Sequence, residues 1–252
     1  VVNGRFIKAL RLTDISQDDS YISRISVVKN LSSMEELSLH EKVTFFVGEN
    51  GSGKSTLLEA IAVKFGFNAE GGSLNFSFST KATHSELFRY IKLIKSFERP
   101  DDGFFLRAES FYNAATYIDL LDESSSSLPK LIRRYGGRSL HEQSHGESFF
   151  SLVSNRFGGN GLYILDEPEA ALSPMRQMSL LTLIHDLTEK KSQFIIATHS
   201  PILLAYPDAV IYELGEDSIT ETLYENTDTY NITRRFLENP KRMMKYLFEK
   251  EE

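Results

Sequence analysis

The sequence predicts an α/β fold: a mostly parallel sheet flanked by helices, with an N-terminal antiparallel β portion and an inserted helical lobe. Three observations carry this expectation. The apolar run Val43-Thr-Phe-Phe-Val47 is β-branched and aromatic and stops at Gly48, after which Leu57, Leu58, Ile61 and Ala62 recur at helical spacing. Leu162-Tyr-Ile-Leu165 and Phe194-Ile-Ile-Ala-Thr198 read as two further buried strands. Between them Met178, Leu181, Leu183, Ile184 and Leu187 keep a helical period, and the order strand, crossover helix, strand implies parallel pairing.

The other segments follow in order. Phe6 to Leu12 and Tyr21 to Val28 read as edge strands. Glu86 to Phe97 and Asn113 to Leu121 have helical character without alternation, which places a mostly helical lobe at about 80–154. The short run from Glu123 to Pro129 is rich in serine and reads as an exposed loop inside that lobe. Ala209 to Leu214 and Ile219 to Leu223 form a hairpin pattern around Gly215. Asn239 to Glu252 has the pattern of an amphipathic helix that turns Met243, Met244, Leu247 and Phe248 toward the core. We therefore expect a single domain over 1–252, with 1–79 and 155–252 as its α/β core and 80–154 as its lobe.

Composition narrows the chemistry. With 252 residues and 41% hydrophobic content there is apolar material for one large core. Cysteine is absent, which excludes disulfides, thiolate zinc sites and cysteine nucleophiles. The net charge is −7, so nucleic acid would have to meet a local patch. Lys130, Arg133, Arg134 and Arg138 form one such cluster, and Lys241, Arg242 and Lys245 another. No run approaches the roughly 18 apolar residues of a membrane helix, and the opening residues lack a secretory signal pattern; the expectation is a cytoplasmic protein without membrane insertion.

The strongest local signal is GENGSGKST, Gly48 to Thr56, which matches G-x-x-x-x-G-K-[ST] at Gly48, Gly53, Lys54 and Ser55. Glycines let the backbone curl so that the N–H groups of Glu49, Asn50, Gly51, Ser52 and Gly53 converge, and the helix that follows adds its positive dipole end through Lys54, Ser55 and Thr56. Lys54 suits the β- and γ-phosphates of ATP, and the Ser55 hydroxyl suits Mg²⁺. Asp166 and Glu167 stand at the C-terminal end of a buried strand, where ligands bind in open α/β sheets. Asp166 is expected to hold the metal, Glu167 to orient and deprotonate the attacking water, and His199, just past the next strand, to hydrogen-bond the γ-phosphate.

The order GENGSGKST, SHGES (Ser144 to Ser148), LYILDEPEAALSP (Leu162 to Pro174) and ATHSP (Ala197 to Pro201) resembles the ATP-binding-cassette, or ABC-type, P-loop NTPases over most of the chain. The wording of DEPEAALSP and THSP resembles the SMC, RecF and related repair or phage-defence ATPases more than transporter ATPases, and taken end to end the chain resembles the small stand-alone bacterial ATPases of AAA/ABC type. The resemblance implies that Ser144, Gly146 and Glu147 form the signature motif, which reaches the γ-phosphate held by a partner's P-loop. It also implies that ATP is sandwiched in a head-to-tail homodimer and that hydrolysis releases the two copies. Two departures stand out. The signature's usual glycine-glycine-glutamine ending is His145, Gly146 and Glu147 here, and the expected strand-end glutamine is missing, with Glu109 the candidate metal contact in its place.

The resulting expectation is an ATPase switch in DNA repair, nucleic-acid processing or phage defence, with a nucleic acid or a protein as partner. The alternatives are the ATP-binding subunit of an ABC transporter and a nucleotide-dependent module with little turnover.

Overall fold

The N-terminal third opens with strand β1 (Ile7–Leu12) and continues through helix α1 (Ser26–Ser32) and strands β2 (Leu37–Ser38) and β3 (Val43–Val47) to helix α2 (Lys54–Phe65). Strands β4 (Gly72–Ser73), β5 (Ile91–Lys95) and β6 (Asp102–Arg107) follow, then helix α3 (His145–Arg156) and strand β7 (Gly161–Asp166). The last part comprises α4 (Pro174–Glu189), β8 (Gln193–Ala197), α5 (Pro201–Leu204), β9 (Val210–Leu214), β10 (Ile219–Thr222), α6 (Asp228–Glu238) and α7 (Pro240–Phe248). The computed structural model describes residues 6–13, 15, 21–74, 85–107 and 145–248.

Among the described residues the main sheet runs β10-β9-β3-β8-β7-β6-β4. Strands β9, β3, β8, β7 and β6 are mutually parallel, and β10 and β4 close the two edges antiparallel. β3, β7 and β8 are buried along their whole length, which is why their sequences are continuous apolar runs rather than alternating ones. Their two faces feed two cores. Phe46, Ile164 and Ile195 pack with α1, α2 and the small sheet, whereas Phe45, Tyr163 and Phe194 pack with α3 and α4.

The small sheet, β2-β1-β5, is antiparallel. It is tied to the large one by Gln193, fully buried at the start of β8. Its side chain accepts from the N–H groups of Phe6 and Ile7 and donates to the carbonyls of Ile7 and His40. A buried amide satisfied on both its ends fixes register, because any slip would leave several polar groups dry.

Four expectations are corrected. Tyr21–Val28 is not a strand: a 3-10 turn (Tyr21–Arg24) leads into α1, whose Val27, Val28 and Leu31 form one buried helical face. The β-branched pair imitates a strand locally, and packing of Val27 against Gly53 overrides it. Glu86–Phe97 is not helical beyond the 3-10 turn at Glu86–Arg89, because β5 pairs with the free edge of β1, Leu10 opposite Leu93. That partner lies far away in sequence, so the period of the segment could not reveal it. Phe6–Leu12 does hold a strand but not an edge, because β1 pairs with β2 on one side and β5 on the other; the crossover helix α4 forms where expected and turns Gln177, Leu180, Ile184 and Leu187 inward. Helix α7 forms where the tail pattern places it, but Met244, Leu247 and Phe248 are exposed, since α7 packs beside α6 rather than on the sheet. The expected helix at Asn113–Leu121 and the loop at Glu123–Pro129 lie outside the described residues.

At the opposite end of the sheet, Asp102 collects three partners. It accepts from Arg156 at 2.7 Å, from the Gly158 N–H at 3.1 Å and from the Tyr163 hydroxyl at 2.9 Å, while the Phe157 ring stacks on Tyr163 at 4.1 Å. Burial works against the Asp102 carboxylate, but the Gly158 N–H, Arg156 and Tyr163 outweigh it and hold the carboxyl below the ordinary aspartate value. Asp102→Asn is therefore expected to cost about 2 kcal/mol at neutral pH. A depressed folded value means that the extra stability is fully present above the unfolded aspartate's pKa and is lost as pH falls through the folded one. Urea unfolding across pH should show the gap between the two proteins closing on acidification; a gap that widened would refute the assignment.

Candidate nucleotide site at the sheet edge

The central strands end in register. Phe46 on β3 pairs with Ala197 on β8, Ala197 with Asp166 on β7, and Asp166 with Arg107 on β6. Whatever follows these residues is therefore lined up along one edge: the glycine-rich loop after β3, Glu167 after β7 and His199 after β8. Parallel pairing alone brings together groups that are more than a hundred positions apart in the chain.

Within the loop, Gly48 has φ 143°, and a Cβ there would meet the Leu214 carbonyl oxygen at 2.5 Å, so the close pass of the loop against β9 requires glycine. Gly53 sits at φ 95° immediately before α2, and a Cβ there would strike Val27. The loop thus delivers the chain straight into a helix N-terminus, whose unpaired N–H groups are donors for an anion. Glu49, Asn50, Gly51 and Ser52 form the outer rim, and the buried Ser52 hydroxyl has no hydrogen-bond partner among the described residues. Thr56 is half-buried in the first turn of α2.

Lys54 is 4% exposed and arcs back over the loop, donating to the carbonyls of Gly48 at 2.8 Å and Glu49 at 2.9 Å. Burial lowers its pKa below that of an ordinary lysine; the charges of Glu167, Asp166 and Glu169 oppose this. Two neutral carbonyls are poor recompense for a desolvated ammonium, and phosphate oxygens in the same loop would be better acceptors.

The Ser55 hydroxyl donates to Asp166 Oδ1 at 2.9 Å, and Asp166 is 6% exposed. Two hard oxygen donors are thereby held together. Among the described residues no group of three or more His, Cys, Asp or Glu side chains is arranged to hold a metal. The pair fits magnesium, which takes one or two protein oxygens and completes its shell with phosphate and water.

Glu167 occupies the left-handed region at φ 51° and ψ 52°, a strain of about 1–2 kcal/mol for a non-glycine residue. Its N–H donates to the Ala197 carbonyl, which holds it there. Its side chain is 40% exposed, and its Oε1 lies 3.8 Å from His199 Nε2. The backbone of His199 is held on both sides: its N–H donates to Glu169, and the next residue, Ser200, donates its hydroxyl to Gln177 and its N–H to Thr198.

Gly146 and Glu147 lie in the first turn of α3, and the Gly146 backbone passes so close to the Ala171 carbonyl that a Cβ would sit 3.0 Å from it. That contact sets the start of α3 beside the 3-10 turn Pro168–Ala171, which follows Glu167. Ser144 and Glu109 lie outside the described residues. A cleft of about 670 Å³ opens between the loop rim, His199 and the first turn of α6, where Asp228, Thr229 and Ile232 line it. Its volume is within the range of small-ligand sites.

Three residues of the site were not anticipated. Arg107 ends β6 beside Asp166, Glu59 on α2 holds Arg107, and Glu169 fastens His199. For Arg107 the available signal was a charged residue directly after the apolar run Phe104-Phe-Leu106; for Glu169 it was a third carboxylate following Asp166 and Glu167. Glu59 gave none, being one polar residue within a helix.

Strand, glycine-rich loop and helix together make the protein a P-loop protein. Residues 84–205 match the family described as "AAA domain, putative AbiEii toxin, Type IV TA system", and residues 24–120 match one described as "AAA domain". A relative from Methanosarcina acetivorans, named "Putative ABC transporter ATP-binding protein", is 26% identical over 79% of this chain and 76% of its own length. A similarly named protein of Pyrococcus furiosus is 27% identical over 73% of each. Among solved structures, cbiO1 from Clostridium perfringens, part of the ABC transporter complex cbiONQ, superposes with a TM-score of 0.53 at 16% identity, covering 96% of this chain and 99% of that one. A nucleotide-free ATP-binding cassette from an ABC transporter gives 0.51 at 16% identity, with 97% and 100% covered. In fold the chain resembles the ATP-binding cassettes, and its motifs stand in the order found in ABC-type P-loop ATPases. No helix among the described residues is long and apolar enough to cross a membrane.

Proposed function

We propose that the protein binds ATP and hydrolyses it to ADP and phosphate in a magnesium-dependent reaction, with each nucleotide held between two head-to-tail copies of the chain. The observation that carries this reading is the meeting at one sheet edge of Lys54, the Ser55–Asp166 pair, Glu167 and His199. Main-chain N–H groups from Glu49 to Thr56 cradle the phosphates, and Lys54 exchanges its two carbonyl partners for β- and γ-phosphate oxygens. Ser55 and Asp166 would hold magnesium, which would supply neutralisation of phosphate charge during transfer. Glu167 orients the attacking water and takes its proton, and His199 donates to the γ-phosphate from the neighbouring strand end.

Ser144, Gly146 and Glu147 serve the nucleotide of the other copy in this reading. The start of α3 beside the turn that follows Glu167 supports it, because a helix N-terminus there offers further N–H donors to an anion. ATP then closes the dimer and hydrolysis opens it. We assign this switch to DNA repair, nucleic-acid processing or phage defence, following the SMC- and RecF-like wording of its motifs.

The test is phosphate release by the purified chain, with and without magnesium and with and without DNA or RNA at moderate salt. Magnesium-dependent turnover that nucleic acid stimulates is the expected result; turnover indifferent to every nucleic acid removes that branch. The names of the two relatives favour a second reading, the ATP-binding subunit of an ABC transporter. Co-purification with an integral membrane protein would support it.

A further inference from the structure

We propose that Arg107 is a positioning residue that sets how tightly the site holds its divalent cation; the inference rests on the nucleotide-binding reading above. Sheet register puts Arg107 directly opposite Asp166. Its Nη1 donates to Glu59 Oε2 at 2.6 Å, and the other oxygen of that buried carboxylate accepts from the Ser85 N–H at 2.7 Å, so the anchor itself is fixed. Its Nε lies 3.7 Å from Asp166 Oδ2, too far for a hydrogen bond, and is buried without a hydrogen-bond partner among the described residues.

One guanidinium is thus shared by two buried carboxylates, one of them on the P-loop helix and the other the proposed metal ligand. Neither Asp166 nor Glu59 has water enough to solvate a bare charge, at 6% exposure each. Arg107 compensates both while no cation is bound. When a divalent cation reaches Ser55 and Asp166, the same guanidinium opposes it across a few ångströms of poorly screened interior. The consequence is a raised magnesium requirement and an Asp166 that stays in place without metal.

The experiment titrates magnesium chloride into the full chain with a fluorescent N-methylanthraniloyl ATP analogue and follows the analogue's emission. Wild-type signal that saturates with magnesium, and that Lys54→Ala abolishes, establishes the nucleotide site. Arg107→Gln is then expected to lower the half-saturating magnesium concentration by about tenfold, and Glu59→Gln to raise it by about as much. Arg107→Lys, which keeps the charge, should stay near wild type. A purely structural role for Arg107 would lower thermal stability and leave the magnesium midpoint where it was. Should Arg107→Gln fail to fold, Glu59→Gln and Arg107→Lys still carry the test. An unchanged or raised midpoint in Arg107→Gln, or an unchanged or lowered one in Glu59→Gln, overturns the proposal. No signal at all in the wild type overturns the nucleotide reading itself, and this inference with it.

Discussion

Glu167→Gln is expected to slow ATP turnover by about 10²–10⁴-fold, the range typical of a lost general base, while ATP stays bound. Glutamine is nearly isosteric and keeps a carbonyl oxygen to orient water, but it cannot accept a proton at neutral pH. Lys54, Ser55 and Asp166 are untouched, so the phosphates and the metal are held as before. The left-handed backbone at residue 167 is held by its N–H on Ala197, a bond that does not involve the side chain. With hydrolysis blocked, the protein should accumulate in its ATP-bound closed form. Size-exclusion chromatography in ATP and magnesium should then show a dimer; a monomer carrying ATP would contradict the shared-site arrangement. Wild-type turnover no faster than the variant's would mean that hydrolysis is not this protein's work.

Lys54→Ala is expected to weaken ATP binding by about 3 kcal/mol, roughly two orders of magnitude, the cost of removing one member of a buried, hydrogen-bonded charge pair. The ammonium is desolvated in the loop, and without ligand it has only two carbonyls as hydrogen-bond partners among the described residues. In the proposed reading its stabilising partner is the nucleotide rather than the folded chain. The unliganded variant should unfold within a few degrees of wild type, since alanine removes a buried charge whose hydration was already sacrificed. Isothermal calorimetry with ATP and a thermal scan without it separate the two effects. Retained affinity would remove Lys54 from the phosphate site, and a large loss of unliganded stability would make it a structural lysine.

The sheet centre was legible because β3, β7 and β8 are buried on both faces, and full burial leaves an unbroken apolar run in sequence. The glycine-rich loop was legible because close approach of backbone demands residues without side chains at set positions, as at Gly48 against Leu214. Asp166, Glu167 and His199 followed from a general rule about strand ends, and the register of β8 with its neighbours brings them to one edge. Elements at the periphery were less legible. α1 reads as a strand from Val27 and Val28, and β5 reads as a helix from its local period, because each takes its form from a distant partner.

What sequence alone could establish, then, is the kind of site: spacing within a loop and at strand ends records constraints that are local in the chain. The surroundings of that site were the work of folding. Glu59, Arg107 and Asp166 meet across α2, β6 and β7, and Glu169 reaches the backbone of His199 thirty residues further on. Such pairings depend on which faces of separate elements are packed together, and a charge whose partner lies so far along the chain leaves no periodic trace. The same holds for the apolar side of α7, whose pattern is a property of the helix while its exposure follows from the neighbours the fold provides.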